Sequence, residues 1–347
     1  MNRETMSDDV LSHRPATMTD VARLSEVSVM TVSRVLNGNQ NVAAATKRRV
    51  EEAMQRLSYT PNMLARGLVS GRSGTIGVVT FDTILYGPGS ALLGIERAAR
   101  ARGYGVSIVT LPNPTRQSVA SALDSLRNRS VDGVITITPQ IAAATALEQL
   151  ADSVPMVSVE AGHPGVAPLI RVHQRSGAKM ATDHLLDLGH RTVWHIAGPD
   201  DWFEGRERVE GWRDALSDRG VPAPRLLRGD WSAASGYAAG QTILADRGQV
   251  TAVFAGNDQM ALGFQYAMFE RGMTAPLPIS VVGFDDIPES GFFSPALTTI
   301  RQDFDEMGRR GVEVLTAMLA GETVDRGLVE NVMPELVVRG SSAAPAG

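Results

Sequence analysis

A chain of 347 residues is long enough for two or three domains with cores of their own, and 43% hydrophobic with 5% aromatic residues reads as soluble and globular. No apolar run approaches a membrane span, the absence of cysteine excludes disulfides and thiolate metal sites, and the polar start offers no signal-peptide core, all of which suits a cytoplasmic chain. The net charge of −5 argues against a general nucleic-acid binder, but it is unevenly spread: Pro15 to Arg72 carries eight basic residues against four acidic ones, a basic head on an acidic body.

Residues 1–15 are expected to be a flexible leader outside the fold. Thr17 then stands where it can cap a helix, with Asp20 placed to reach back in a capping box and Val21, Ala22 and Leu24 forming an apolar face. After Ser25-Glu26-Val27 the pattern restarts at a second cap, Ser28, and Val32, Val35 and Leu36 repeat at helical spacing. Two short helices joined by a tight turn make a helix-turn-helix. Its second helix leaves Val29, Met30, Ser33, Arg34 and Asn37 on the outer face, where such side chains reach base edges and phosphates in a major groove. A third helix is predicted over about Ala44–Leu57, with Val50, Ala53, Met54 and Leu57 inward and with Ala43 as a weak cap. Lys47 to Arg49 suit either phosphate contact or an ordinary solvated face.

The wording Thr17-x-x-Asp20-Val21-Ala22, then Val27-Ser28-x-x-Thr31-Val32-Ser33-Arg34-Val35-Leu36-Asn37, then Tyr59-x-Pro61-Asn62 resembles the lactose-repressor (LacI/GalR-type) family of bacterial transcription regulators. The resemblance runs almost to the end of the chain. It implies a head over residues 16–60 in which Thr17, Thr19 and Tyr59 join the second helix in contacting double-stranded operator DNA. It implies, too, a hinge over 61–73 that folds on the DNA, with Asn62 and Ala65 in the minor groove and Leu68 wedged into a base step. Gly67 and the short length make such a helix marginal by itself. Val29 and Met30 stand where the family's type sequence has Tyr and Gln, so the base preference is expected to differ from that sequence's own.

From Gly74 the texture changes to buried strands alternating with helices: strands at Thr75–Thr80, Gly105–Thr110, Asp132–Ile137 and Pro155–Val159, with helices near Leu92–Arg102, Ser118–Arg127 and Ile141–Leu150. The rhythm repeats with strands at Thr192–Ile196, Thr251–Ala255 and Ile279–Phe284 among helices near Gly177–Leu188, Arg206–Arg219, Ala233–Ala245 and Met260–Arg271. The predicted fold is therefore a small all-α helix-turn-helix head followed by an α/β core of two lobes with doubly wound parallel sheets, over residues 74–340. The resemblance implies a periplasmic-binding-protein-like arrangement in which the chain crosses between lobes three times. Residues 341–347 are expected to be a flexible tail. They lack the family's leucine-heptad tetramer segment, which points to a homodimer and, by symmetry, to a near-palindromic operator.

Parallel sheets present ligand contacts at the carboxyl ends of their strands, and Glu160, Asn257, Asp258, Asp285 and Asp286 all fall there. From spacing alone Asn257 or Asp258 equally suits a helix cap, and Asp285 a turn. The family match assigns more. By position Arg208, Asn257, Asp285 and Gln302 are polar effector contacts, Trp231 is the plate for a sugar face, and Phe81, Leu85, Pro88, Glu160 and Phe304 complete the site. Carboxylate and amide groups bind adjacent hydroxyls, arginine donates a fork, and an aromatic covers the apolar ring face. Glu160, Phe81 and Val172 depart from the type sequence, which has Asp, Ser and Phe there, so a galactoside leads among small sugars without being fixed. Trp194, Trp202 and Trp212 read mainly as core, with Trp202, placed in a loop, the one of the three best placed to touch ligand. The six histidines show no metal spacing, the glycine-rich run Gly87–Gly94 lacks a phosphate-loop ending, and no nucleophile elbow or activated base is present, so no cofactor, metal or catalysis is expected. The sequence thus supports a sugar-released repressor, with a corepressor-dependent regulator and a plain sugar-binding protein as the competing readings.

Overall fold

The structure is a computed structural model that describes residues 16–36, 42–59, 72–81, 84–112, 115–148, 154–163, 165–245, 250–273 and 278–345. They fall into two compact units that meet between Ser73 and Gly74.

The first unit holds α1 (Met18–Leu24), α2 (Val29–Leu36) and α3 (Ala44–Arg56). Local chemistry sets their ends. Thr17 and Asp20 form a reciprocal capping box, with the Asp20 amide donating to Thr17 Oγ1 at 3.4 Å and the Thr17 amide to Asp20 Oδ2 at 2.9 Å. Ser28 Oγ accepts from the Thr31 amide at 3.1 Å and starts α2. Val21, Ala22, Val32, Val50 and Ala53 close the core between the three helices, whereas Leu24, expected inward, is 37% exposed. α3 starts at Ala43 without a side-chain cap.

In the second unit the first lobe runs β1 (Thr75–Phe81), α4 (Tyr86–Ala101), β2 (Gly105–Leu111), α5 (Arg116–Asn128), β3 (Gly133–Ile137), α6 (Ile141–Glu148), β4 (Met156–Val159) and β5 (Leu169–Val172). The second continues with α7 (Gln174–Asp187), β6 (Trp194–Ala197), α8 (Phe203–Asp218), β7 (Leu227–Arg228), α9 (Ala233–Ala245), β8 (Ala252–Ala255), α10 (Asp258–Glu270), β9 (Ser280–Asp285) and β10 (Thr298–Arg301). The chain returns through α11 (Phe304–Leu319) and β11 (Val329–Val332) and ends at β12 (Glu335–Val337). Each lobe is a six-stranded sheet, ordered β11-β5-β4-β3-β1-β2 and β12-β10-β9-β8-β6-β7. The three crossings that the resemblance implies follow β5, β10 and β11. All pairs are parallel except β10 with β12, which is antiparallel. Helices cover both faces of each sheet, so central strands such as β3 are buried at every position and read as unbroken apolar runs.

Three features differ from the sequence reading. The helix expected from Leu92 starts at Tyr86, because Pro88 is tolerated in a first turn and the glycines of the run serve packing. Gly94 and Gly308 let α4 and α11 cross so closely that a Cβ on either would strike the other's backbone. The short strands β5, β7, β10, β11 and β12 and the helix α11 were not anticipated; strands of two to four residues carry too little pattern. Lastly, the stretch after Arg339 is not a loose tail over its described part. Ser341 is fully buried, its Oγ donating to the Val281 carbonyl at 2.6 Å and accepting from the Thr298 amide at 2.7 Å, and His190 Nε2 lies 3.0 Å from the Ala343 carbonyl. It lies against the starts of the central strands β9 and β10 and supplies partners to their backbone groups. No helix among the described residues is long and apolar enough to cross a membrane.

Candidate functional site: an exposed recognition helix and an interlobe cavity

On the head, the outer face of α2 presents Val29 and Met30, 43% and 66% exposed, beside exposed Arg34, while Ser33 is half-buried. Apolar side chains held in water on a helix of eight residues make no contribution to the core, which leaves them for contact with something else. Thr19 is exposed, Thr17 is engaged in its cap, and Tyr59 packs against the three-helix core. Asn37, Asn62, Ala65, Gly67 and Leu68 lie outside the described residues.

The second unit contains a cavity of about 200 Å³ where the carboxyl ends of the two sheets face each other. From the first lobe come Leu85 and Pro88 at the start of α4, Pro139 after β3 and Glu160 after β4. The second lobe supplies Arg208 on α8, Trp231 after β7, Asn257 after β8, Asp285 at the end of β9 and Gln302 after β10. Of the ten residues assigned by resemblance, eight therefore line one cavity. Phe81 and Phe304 do not. Phe81 packs beside Val79 and Leu111 in the first lobe, and Phe304 is a buried core residue whose ring meets Tyr86 edge-on at 5.9 Å, holding that lining residue in place. Val172 belongs to the first lobe's core rather than to the wall.

Four polar side chains form a closed ring. Arg208 Nε donates to Gln174 Oε1 at 2.9 Å, Gln174 Nε2 to Gln302 Oε1 at 2.8 Å and Gln302 Nε2 to Asp285 Oδ1 at 2.7 Å, while Arg208 Nη2 stands 3.5 Å from that same Asp285 oxygen. Arg208 also donates to the Gly256 carbonyl and lies over the Phe284 ring at 3.8 Å. A guanidinium this buried needs such partners, and they fix its fork toward the cavity. Gln174 is the link that sequence reading missed: it opens α7 immediately after a lobe crossing, far in sequence from Gln302.

Asn257 caps a helix and also lines the cavity. Its Oδ1 caps α10 by accepting from the Met260 amide at 2.9 Å, and its Nδ2 donates to the Trp231 carbonyl at 3.0 Å while the residue lines the cavity. Asp258 is structural only, accepting from Ser290 Oγ at 2.6 Å and the Ile287 amide at 2.9 Å behind the wall. Trp231 lies against Gly198, where any Cβ would run into the indole, and Trp202 meets it at 5.8 Å with planes 68° apart. Glu160, Trp231 and Asp285 all hold positive φ, at 71°, 73° and 112°, a conformation that non-glycine residues keep only where the surroundings enforce it and that concentrates at ligand sites.

Burial dominates the electrostatics. It pushes the Asp285 carboxyl up to about 6, with Arg208 and Gln302 pulling the other way. Glu160 is raised well above the usual carboxylate range by burial and then by Glu204. Glu204, in the first turn of α8, is raised to about 7 by burial. Sequence reading passed over Glu204, because an acid in the first turn of a helix suits the helix dipole without any further role.

The sequence pattern of bacterial regulatory proteins of the lacI family matches residues 17–62, and that of a periplasmic binding protein-like domain matches residues 182–342. Over 333 residues the chain is 33% identical to the lactose operon repressor of Escherichia coli, covering 96% of this chain and 92% of that protein. The chain belongs to the lacI family. Equally similar is another family member from Escherichia coli, the ribose operon repressor, 33% identical over 331 residues and covering 94% of this chain and 100% of that one. Among solved structures, the lac repressor dimer bound to operator and the anti-inducer ONPF superposes with a TM-score of 0.82 at 32% identity, over 95% of this chain and 100% of that chain. A complex of the regulator CelR with cellobiose superposes at 0.70 with 28% identity, over 94% of this chain and 99% of that chain.

Proposed function

We propose that this lacI-family regulator is a transcriptional repressor of a carbohydrate-utilisation operon in the bacterial cytoplasm. As a homodimer it binds a near-palindromic operator through its two heads and is released by a small sugar, galactoside-like in its first ring, held between the lobes. The observation that carries the reading is the closed ring of Arg208, Gln174, Gln302 and Asp285 beside the Trp231 plate. It combines a forked donor, amides, a carboxylate and an apolar face, the set that recognises a sugar ring. Dimerisation is supported by the outer face of α10, where Leu262, Tyr266 and Phe269 stand 42%, 53% and 64% exposed in one row.

Operator binding is a linked equilibrium. A sugar that prefers the lobe arrangement unsuited to DNA releases the repressor by its differential affinity alone. The test begins with selection of the operator from random DNA, followed by mobility-shift titrations with galactosides, other hexose glycosides, ribose and purines. Release by a hexose glycoside is the expected outcome. Tightening of the complex by a purine, with sugars inert, would replace the proposal by corepressor control.

A further inference from the structure

The polar ring leaves two acids of the cavity wall unexplained. Glu204 is 7% exposed, lines the cavity, and neither of its oxygens has a hydrogen-bond partner. Its neighbour Glu160 leaves Oε2 unpartnered as well. Both border a recess of about 10 Å³, room for one water molecule, whose far side is formed by Arg171 and Glu207, an ion pair at 2.5 Å. The wall around this recess thus carries charge, whereas Ile84, Leu85 and Pro88 line the cavity with apolar groups. Buried oxygens without partners are costly unless a ligand supplies donors, and an apolar group placed against them would leave all three unmade.

Building on the carbohydrate reading above, we propose that Glu204 and Glu160 form a second sugar subsite that takes adjacent hydroxyls of another ring. The effector is then a disaccharide, rather than a free monosaccharide or a glycoside with an apolar aglycone. A carboxylate accepts from two neighbouring hydroxyls at once. The second indole fits the same picture: Trp202, two residues before Glu204, lines the cavity at a steep angle to Trp231 and gives a second ring its own apolar plate. Because burial raises both carboxyls, and Glu204 adds to the rise at Glu160, the pair retains proton near neutral pH, and hydroxyls, which donate and accept alike, match it without a cationic ligand.

The experiment measures affinities of the full-length protein by calorimetry for lactose, melibiose, cellobiose and maltose, each beside the phenyl glycoside with the same first ring and linkage. At least one disaccharide is expected to bind roughly ten- to a hundredfold tighter than its phenyl partner, which leaves the buried oxygens without hydrogen bonds. Glu204→Leu should bring that ratio near one, with Glu204→Gln, which keeps the shape and one acceptor, in between. Circular dichroism and melting curves verify folding, and should the leucine variant not fold, the glutamine variant decides by the same ratio. A phenyl glycoside or free hexose that binds as tightly as every disaccharide overturns the subsite, as does an equal loss of both affinities in the Glu204 variants. In those cases the carbohydrate reading stands. If none of these sugars binds and a purine controls the operator, both fall together.

Discussion

Asp285 has a structural part and a position suited to recognition. It closes the polar ring through Gln302 and faces Arg208, and its carboxyl sits at the carboxyl end of a central strand where a ligand hydroxyl would reach it. Asp285→Asn keeps the shape and removes the charge. The effector concentration for half-release of operator is expected to rise about ten- to a hundredfold, the worth of a charge-assisted hydrogen bond in a closed site; an unchanged release curve would take Asp285 out of the site. Glu204 gives a pH prediction. Its folded carboxyl titrates near 7 against an ordinary 4.5, so between those values the folded state holds more proton than the unfolded one. Its ionisation therefore costs stability progressively from about pH 4.5 to 7, and in full above that. Glutamine removes the cost, at most on the order of 3 kcal/mol at one unit per 1.4 kcal/mol. Without ligand, Glu204→Gln should melt above the wild type at pH 8 and near it at pH 5. The opposite trend would mean that Glu204 is ionised and paired.

At the scale of elements, the head depends on caps more than on its small core. α1 and α2 each begin on a side-chain oxygen, while α3 begins at Ala43, whose backbone is extended but whose methyl caps nothing. Ala43→Ser adds the missing acceptor, about 1 kcal/mol on the usual capping scale. Hydrogen exchange at the buried Val50 and Ala53 amides in the full-length protein should slow roughly fivefold. No change in exchange would show that the cap is already supplied by other means. Neither outcome alters α2's outer face, which rests on Val29 and Met30 being held in water by a helix whose other side is committed to the core.

At the scale of the molecule, the row Leu262, Tyr266 and Phe269 repeats at i, i+4 and i+7 along α10, with Tyr237 of α9 beside it, its ring centroid 5.8 Å from that of Tyr266. A two-fold axis across such a face would bury it against its own copy. Phe269→Asp is expected to shift the protein toward monomers in sedimentation and to weaken operator binding at least tenfold, because a monomer loses the effective concentration of the second head. A dimer of unchanged stability would place the interface elsewhere.

The sequence by itself determined what is local. Caps and helical spacing gave the three head helices, β-branched runs gave seven of the twelve strands, and strand ends pointed to Glu160, Asn257 and Asp285, because a side chain's position on a strand or helix follows from residues within a turn or two of it. The tertiary structure alone decided which of these meet. Gln174 joins Gln302 across 128 residues, Phe81 and Phe304 turn into core instead of cavity, Ser341 docks under β9, and Glu204 becomes an unpartnered buried acid rather than a helix-dipole acid. Burial and partnership are properties of two surfaces brought together, and a sequence pattern specifies only one of them at a time.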